Sequence, residues 1–198
     1  DPQSMNSSVL RNVLEWTDPA TPRSWYWKPG ALNTAYPLGY LPIASAVTTL
    51  QGQLVITVAA AYADLLRVGD EVTLIGGDSD FYASTGTNRR KVLAASGTSV
   101  TIDMASPTKN TISVTPTGMV AQCRFRHATI LPQQSRTANN AATVFLGVSA
   151  TDANNRYPVD PSMVTGISWN AVVGSSLTLA QIYGSTSNTA DALWILFH

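Results

Sequence analysis

Apolar and polar residues alternate along most of this chain, in short runs closed by glycine, proline, asparagine or aspartate. Alternation with period two puts successive side chains on opposite faces and marks half-buried β-strands. Leu54-Val55-Ile56-Thr57-Val58 is one such run and Glu71-Val72-Thr73-Leu74-Ile75 another. A turn at Leu66-Arg67-Val68-Gly69-Asp70 precedes the second, and Gly76-Gly77-Asp78-Ser79-Asp80 breaks it. Residues 90–95 and 99–104 flank Ser96-Gly97-Thr98, a hairpin signal. Residues 112–115 and 119–125 predict a further pair around Pro116-Thr117-Gly118. Beyond a polar linker over 129–140, strands are predicted at 143–148, 165–173, 176–183 and 192–197, with a turn at Asp152-Ala153-Asn154-Asn155. Leu177, Leu179 and Ile182, with Trp194 and Leu196 or their neighbours, are expected to supply an inner face. The last run, "DALWILFH", is so apolar that it must be paired within a sheet.

Residues 1–45 follow another pattern. Val9, Leu10, Val13 and Leu14 are spaced for one helical face, with Ser7 or Ser8 as the cap and Asp18-Pro19 as the stop, which predicts a short helix over 7–16. Pro22, Pro29, Pro37 and Pro42 then alternate with Trp25, Tyr26, Trp27, Tyr36 and Tyr40. Prolines so dense forbid a regular helix or a central strand, and aromatics so dense exclude a disordered tail. An extended segment laid along a surface, its own or a neighbour's, satisfies both. The expected organisation is an arm over 1–45, a small antiparallel barrel-like unit over 46–128 and a second antiparallel β unit over 141–198 packed on the first. The fold class is all-β, of antiparallel barrel or sandwich units with an extended Pro- and aromatic-rich arm.

Composition narrows the functions. Charged residues make up 12% of the chain, with Lys+Arg 12 against Asp+Glu 12, so the formal net charge is zero. That is about half the charge of a typical soluble domain, ~25%. No electrostatic footprint for nucleic acid or an anionic membrane results. Arg89-Arg90-Lys91, and Arg124 with Arg126 on one expected strand face, read as a solvated face or an intersubunit salt bridge beside Asp78 and Asp80. No apolar run reaches the ~18 residues of a membrane helix, and no signal peptide is expected. Asp1-Pro2-Gln3-Ser4 ahead of Met5 reads equally as a cloning remnant or as native chain.

Little of the sequence points to catalysis. The lone Cys123 lies in an alternating run and reads as a small buried hydrophobe. His127 stands four residues on, about 13 Å along a strand, too far to pair with it. His198 is the only other histidine. Asp78 with Asp80, and Asp152, Asn154 and Asn155 with Asp160, offer oxygens to calcium, yet such residues are ordinary turn formers and match no spaced calcium loop. No Walker, dinucleotide, nucleophile-elbow or zinc-protease motif is present. The expectation is no enzyme, no cofactor, no metal and no catalytic residue. Trp25, Tyr26, Trp27, Tyr36 and Tyr40 are the interface candidates, because aromatic anchors concentrate at protein contacts. The same five would also serve as a sugar-stacking platform or as a cap on the chain's own core.

The segments "AATVFLGVSATDANNRYPVDP" and "SSLTLAQIYGSTSNTADALWILFH" resemble small virion proteins of tailed bacteriophages: capsid decoration (cement) proteins and similar head or tail accessory subunits. The likeness covers residues ~140–198 and is one of texture: low charge, Ser/Thr/Asn-rich strands, an extended arm and a closing strand. It implies a non-enzymatic subunit, assembled in the host cytoplasm into the virion. Its partners would be capsid or other virion proteins and further copies of itself, a trimer among the options. A carbohydrate- or receptor-binding β module is the alternative, with a glycan as partner. A hydrolase with an unrecognised carboxylate pair is the third reading.

Overall fold

The computed structural model describes residues 22–49, 52–58, 62, 65–78, 89–104, 111–134, 139–150 and 157–198. The expected helix over 7–16, Asp80 and the turn at 152–155 lie outside them. All sixteen elements named among the described residues are strands. They run β1 (Arg23–Trp27), β2 (Tyr36–Pro37), β3 (Tyr40–Thr48), β4 (Gln53–Val58), β5 (Glu71–Ile75), β6 (Arg89–Ser96), β7 (Ser99–Asp103) and β8 (Gly118–Ala121). Then come β9 (Arg124–Phe125), β10 (His127–Pro132), β11 (Val144–Gly147), β12 (Tyr157–Val159), β13 (Ile167–Asn170), β14 (Leu177–Thr178), β15 (Tyr183–Ser185) and β16 (Leu193–Phe197).

Six of them close an antiparallel barrel in the order β3-β4-β7-β6-β5-β8. The two longest strands make its corners. β3 pairs β8 through Tyr40–Pro42 and β4 through Ile43–Thr48, with a bulge between Ile43 and Ser45. β6 pairs β5 through Arg89–Lys91 and β7 from Val92 onward, with a bulge between Val92 and Ala94. An extra residue bends a strand and raises its twist, which is how a flat ladder turns a barrel corner. Alternation does the rest: Leu54, Ile56, Val58, Val72, Leu74, Val100 and Ile102 are buried while their neighbours are not. Burying each contributes about 1.5–3 kcal/mol.

The expected pair over 112–115 and 119–125 differs from this arrangement. Both edges of β8 are already taken, by β3 and β5. The amides of Ser113 and Val114 donate instead to the Asp78 carboxylate, at 2.7 and 2.8 Å, so residues 112–115 form no ladder.

Beside the barrel stand two four-stranded sheets, β1-β16-β10-β13 and β12-β11-β15-β2. The first four residues of the expected linker, 129–132, belong to β10, which is interior to its sheet. Ala128, Ile130 and Pro132 alternate inward there, and that periodicity outweighs the polarity that follows. The expected strand over 176–183 is two strands, because the Thr178 amide donates to the Gln181 side chain and closes a turn between β14 and β15. In β16, Leu193, Ile195 and Phe197 point inward, so the neighbours of Trp194 and Leu196 supply the inner face.

Of the residues expected as an arm, Arg23–Trp27 and Tyr36–Pro37 are strands of these two sheets, and residues 40–45 begin β3 of the barrel. One continuous cluster of buried residues runs from Leu54 and Ile102 in the barrel to Trp27, Leu146 and Phe197 in the sheets. The join is tight at Gly39, where an ideal Cβ would lie 2.2 Å from the Ala121 carbonyl oxygen. A two-pronged ion pair also crosses it: Arg23 Nη2 and Nη1 reach the Asp70 carboxylate at 2.6 and 2.9 Å.

Candidate functional site

The five aromatic candidates separate once the strands are placed. Trp25 and Trp27 are inward residues of β1 and are fully buried, and Tyr40 is buried at the start of β3. Tyr36 is half-buried, its ring 4.5 Å from that of Tyr40. Only Tyr26, by alternation along β1, lies on the outer face of its sheet.

That outer face is the most unusual surface among the described residues. The register places Tyr26 opposite Trp194, and Trp194 opposite Leu131; one step along, Ser24 faces Leu196, and Leu196 faces Thr129. Trp194 is 43% exposed and Leu196 51%. Tyr26 packs on Trp194 with ring centres 4.7 Å apart and on Tyr62 at 6.0 Å, and its hydroxyl donates to Gln133 Oε1 at 3.1 Å. Partial burial raises the Tyr26 phenol, and heavier burial pushes Tyr62 up to about 12, so both rings stay neutral. The result is an uncharged stripe of Tyr26, Trp194 and Leu131 across three strands of the sheet, with Leu196 beside it.

Sequence reasoning passed over Trp194 and Leu196 as members of this face. The signal was present in the apolar character of every residue from Leu193 to Phe197. A strand apolar at consecutive positions is the mark of one covered on both faces. Among the described residues β16 is covered on one, with Trp194 and Leu196 exposed on the other.

The other end of the face carries the two histidines. His127 and His198 continue the parity of Thr129 and Leu196, and their rings stand 5.3 Å apart. His127 Nδ1 is hydrogen-bonded to Asn170 Oδ1.

The remaining candidates have structural partners. Asp78 is buried and holds the two amides named above. The Asp160 carboxylate accepts from the Ser162 hydroxyl and amide, which hold it below its ordinary value. Arg89 pairs with Glu71 across β5 and β6 at 3.2 Å, Arg90 is buried, and Arg124 and Arg126 are exposed. No group of three His, Cys, Asp or Glu side chains among the described residues is placed to hold a metal ion.

Cys123 is buried next to the Arg23–Asp70 pair. Burial pushes its thiol from 9.0 up to about 12, with the Arg23 guanidinium opposing. A folded-state value raised above the unfolded one favours the folded chain fully at pH values below the unfolded value. That advantage fades as the pH climbs from about 9 towards 12, because only the unfolded chain then sheds the proton. Stability is therefore expected to fall by up to ~1.4 kcal/mol per pH unit across that window. Urea midpoints near pH 8 and about pH 10.5 check this, since the fall shrinks in Cys123→Ala if the thiol is its source. An identical fall in both proteins would assign it to other groups, Tyr62 first.

Comparison with known proteins finds no family model, no curated protein and no solved structure that matches this chain.

Proposed function

We propose that this protein is a non-enzymatic structural subunit that works by protein–protein contact, and that the particle it serves is the virion of a tailed bacteriophage. The observation that carries the contact is the open outer face of β16, with Trp194 and Leu196 exposed on a strand whose every residue is apolar. Exposed apolar patches on a charge-poor surface mark interaction sites. The virion assignment rests on the resemblance of the C-terminal segments.

The occupant of the face is a second copy of this chain. Four strands at ~4.8 Å and five residues at ~3.3 Å give the sheet a footprint of about 19 by 17 Å. That is roughly 320 Å², well short of the ~800 Å² per partner of a stable pairwise complex. A contact of this size is weak alone and gains strength by repetition in a shell, where many equivalent contacts act together. The zero net charge of the chain removes the long-range repulsion that keeps free copies apart.

Light scattering over a dilution series, in the presence of EDTA, tests the reading. The native chain is expected to gain mass with concentration. Leu196→Glu, which places a charge on the exposed face without touching the core, is expected to weaken that association at least tenfold, roughly the effect of burying an unpaired charge. A native chain that stays monomeric at every concentration, and whose melting temperature rises with a glycan, would replace this reading with a carbohydrate-binding one.

A further inference from the structure

We propose that His127 and His198 form half of a metal site, completed by the same pair from a second copy, that takes a borderline divalent cation of the Zn²⁺ class through imidazole nitrogens. The backbone sets the pair. The His198 amide donates to the His127 carbonyl at 3.1 Å, the His127 amide donates back to the His198 carbonyl at 3.2 Å, and the Arg126 amide reaches the same carbonyl at 2.8 Å. The two residues are thus clamped opposite each other at the end of the β10–β16 ladder, both on the outer face.

The distance between the ring centres is compatible with two imidazoles on one tetrahedral ion. Zinc binds imidazole nitrogen at about 2.0–2.1 Å, which puts it about 3.2 Å from each ring centre. Two rings subtending the tetrahedral angle then have centres about 5.2 Å apart. His127 and His198 stand at 5.3 Å, tilted by 42°. Orientation is provided as well. A metal-binding imidazole typically donates its other N–H to a fixed oxygen, which sets the tautomer and aims the free nitrogen. His127 Nδ1 is hydrogen-bonded to Asn170 Oδ1, and the tautomer that donates there leaves Nε2 as the lone-pair nitrogen. The Thr129 hydroxyl lies 3.4 Å from that nitrogen, too long to hold it firmly.

Two ligands fall short of the four that close a structural zinc site. Among the described residues no third His, Cys, Asp or Glu joins them. A second copy supplies the deficit. A two-fold axis running along β16 in the plane of contact sets Leu196 on Leu196 and Trp194 on Trp194. The same operation brings the two histidine pairs together, four nitrogens around one point. The inference rests on the contact between copies proposed above, and it adds the ion that fixes the register of a face too small to pair firmly alone.

The test is titration of zinc chloride into the full chain, stripped beforehand with EDTA, followed by calorimetry and light scattering. The expected result is one zinc per two chains, with the mass doubling at concentrations where the EDTA-treated protein is monomeric. His127→Ala and His198→Ala should each abolish the zinc-dependent doubling, and Asn170→Ala should weaken zinc binding by about 10–100-fold. Leu196→Glu should lower association in EDTA without touching zinc binding at the pair. No zinc binding, one zinc per chain with unchanged mass, or undiminished doubling in the His127→Ala, His198→Ala double variant would each overturn the proposal. Association in EDTA that zinc leaves unchanged removes the metal site and leaves the apolar contact standing. A chain monomeric at all concentrations in EDTA that pairs with half-stoichiometric zinc does the reverse.

Discussion

Alanine at position 191 is expected to cost the protein about 3–5 kcal/mol of stability. Asp191 is fully buried, and its carboxylate accepts three hydrogen bonds: from the Ala141 amide at 2.8 Å, the Ala142 amide at 3.2 Å and the Thr186 hydroxyl at 2.8 Å. The neighbouring Asn140 completes the clamp by donating to the Ala192 carbonyl and accepting from the Ala192 amide, both at 2.9 Å. Together the two side chains tie the start of β11 to the start of β16. Truncating Asp191 leaves three donors without an acceptor, each worth about 1–3 kcal/mol when buried, less what water recovers by entering the space. Asn at the same position keeps the shape but presents an NH₂ group to donors. The Thr186 hydroxyl can turn to accept from it, whereas a backbone N–H cannot, so Asp191→Asn should cost less, about 1–3 kcal/mol. Domain stabilities are typically 5–15 kcal/mol, so the alanine variant should melt well below the native chain. Urea unfolding of the two variants checks both size and order. Equal losses would mean that side-chain volume, not hydrogen bonding, is what position 191 supplies.

Trp27→Ala is expected to cost a similar amount, about 3–5 kcal/mol, by a different route. The indole is fully buried, and its Nε1–H donates to the Pro37 carbonyl at 3.1 Å. Its ring lies directly on the backbone of β15: an ideal Cβ at Gly184 would meet two ring carbons at 2.9 Å. Trp27 belongs to β1 and Gly184 to the other sheet, so this one side chain spans the space between the two sheets. Alanine there leaves a cavity bounded by strand backbone, which cannot collapse without breaking ladders, and strips the Pro37 carbonyl of its donor. Trp27→Phe fills most of the space and should recover about half of the loss. Thermal and urea unfolding measure it. A loss below about 1 kcal/mol for Trp27→Ala would mean that the sheets close over the gap, and that the tryptophan is a peripheral cap.

Both predictions concern residues whose importance was hidden at the level of sequence. Asp191 stands between Ala190 and Ala192 at the head of the apolar closing run, and nothing local says that its carboxylate faces two amides fifty and forty-nine positions away. Trp27 stands out as aromatic, but with Trp25, Tyr26, Tyr36 and Tyr40 it forms a Pro-rich set that suits a core cap or an interface, and less well a sugar platform. Of the outer face, Tyr26 is legible as an aromatic candidate, whereas the alternation of β16 leaves open whether Trp194 and Leu196 or their neighbours face the core. Along the sequence His127 is to be weighed against Cys123, about 13 Å away on one strand and too far to touch. Its real companion, His198, lies across the ladder.

By itself the sequence determined the all-β class and the position of several strands, among them the runs at 54–58, 71–75 and 192–197 and the hairpin around Gly97. Those follow from alternation, glycine turns and proline breaks, which are properties of a few consecutive residues. Only the tertiary structure decided which strands pair: that β1 joins β16, that β10 is interior rather than a linker, and that β3 and β6 bend to close the barrel. Pairing depends on loop closure and on which faces fit across long stretches of chain, and alternation carries no address for its partner. The choice of outward face on β16 shows the reason most plainly. With all five residues apolar, both registers satisfy the local pattern, and it is the inward demand of Trp25, Trp27 and Ile130 that turns Ile195 and Phe197 in and leaves Trp194 and Leu196 facing out.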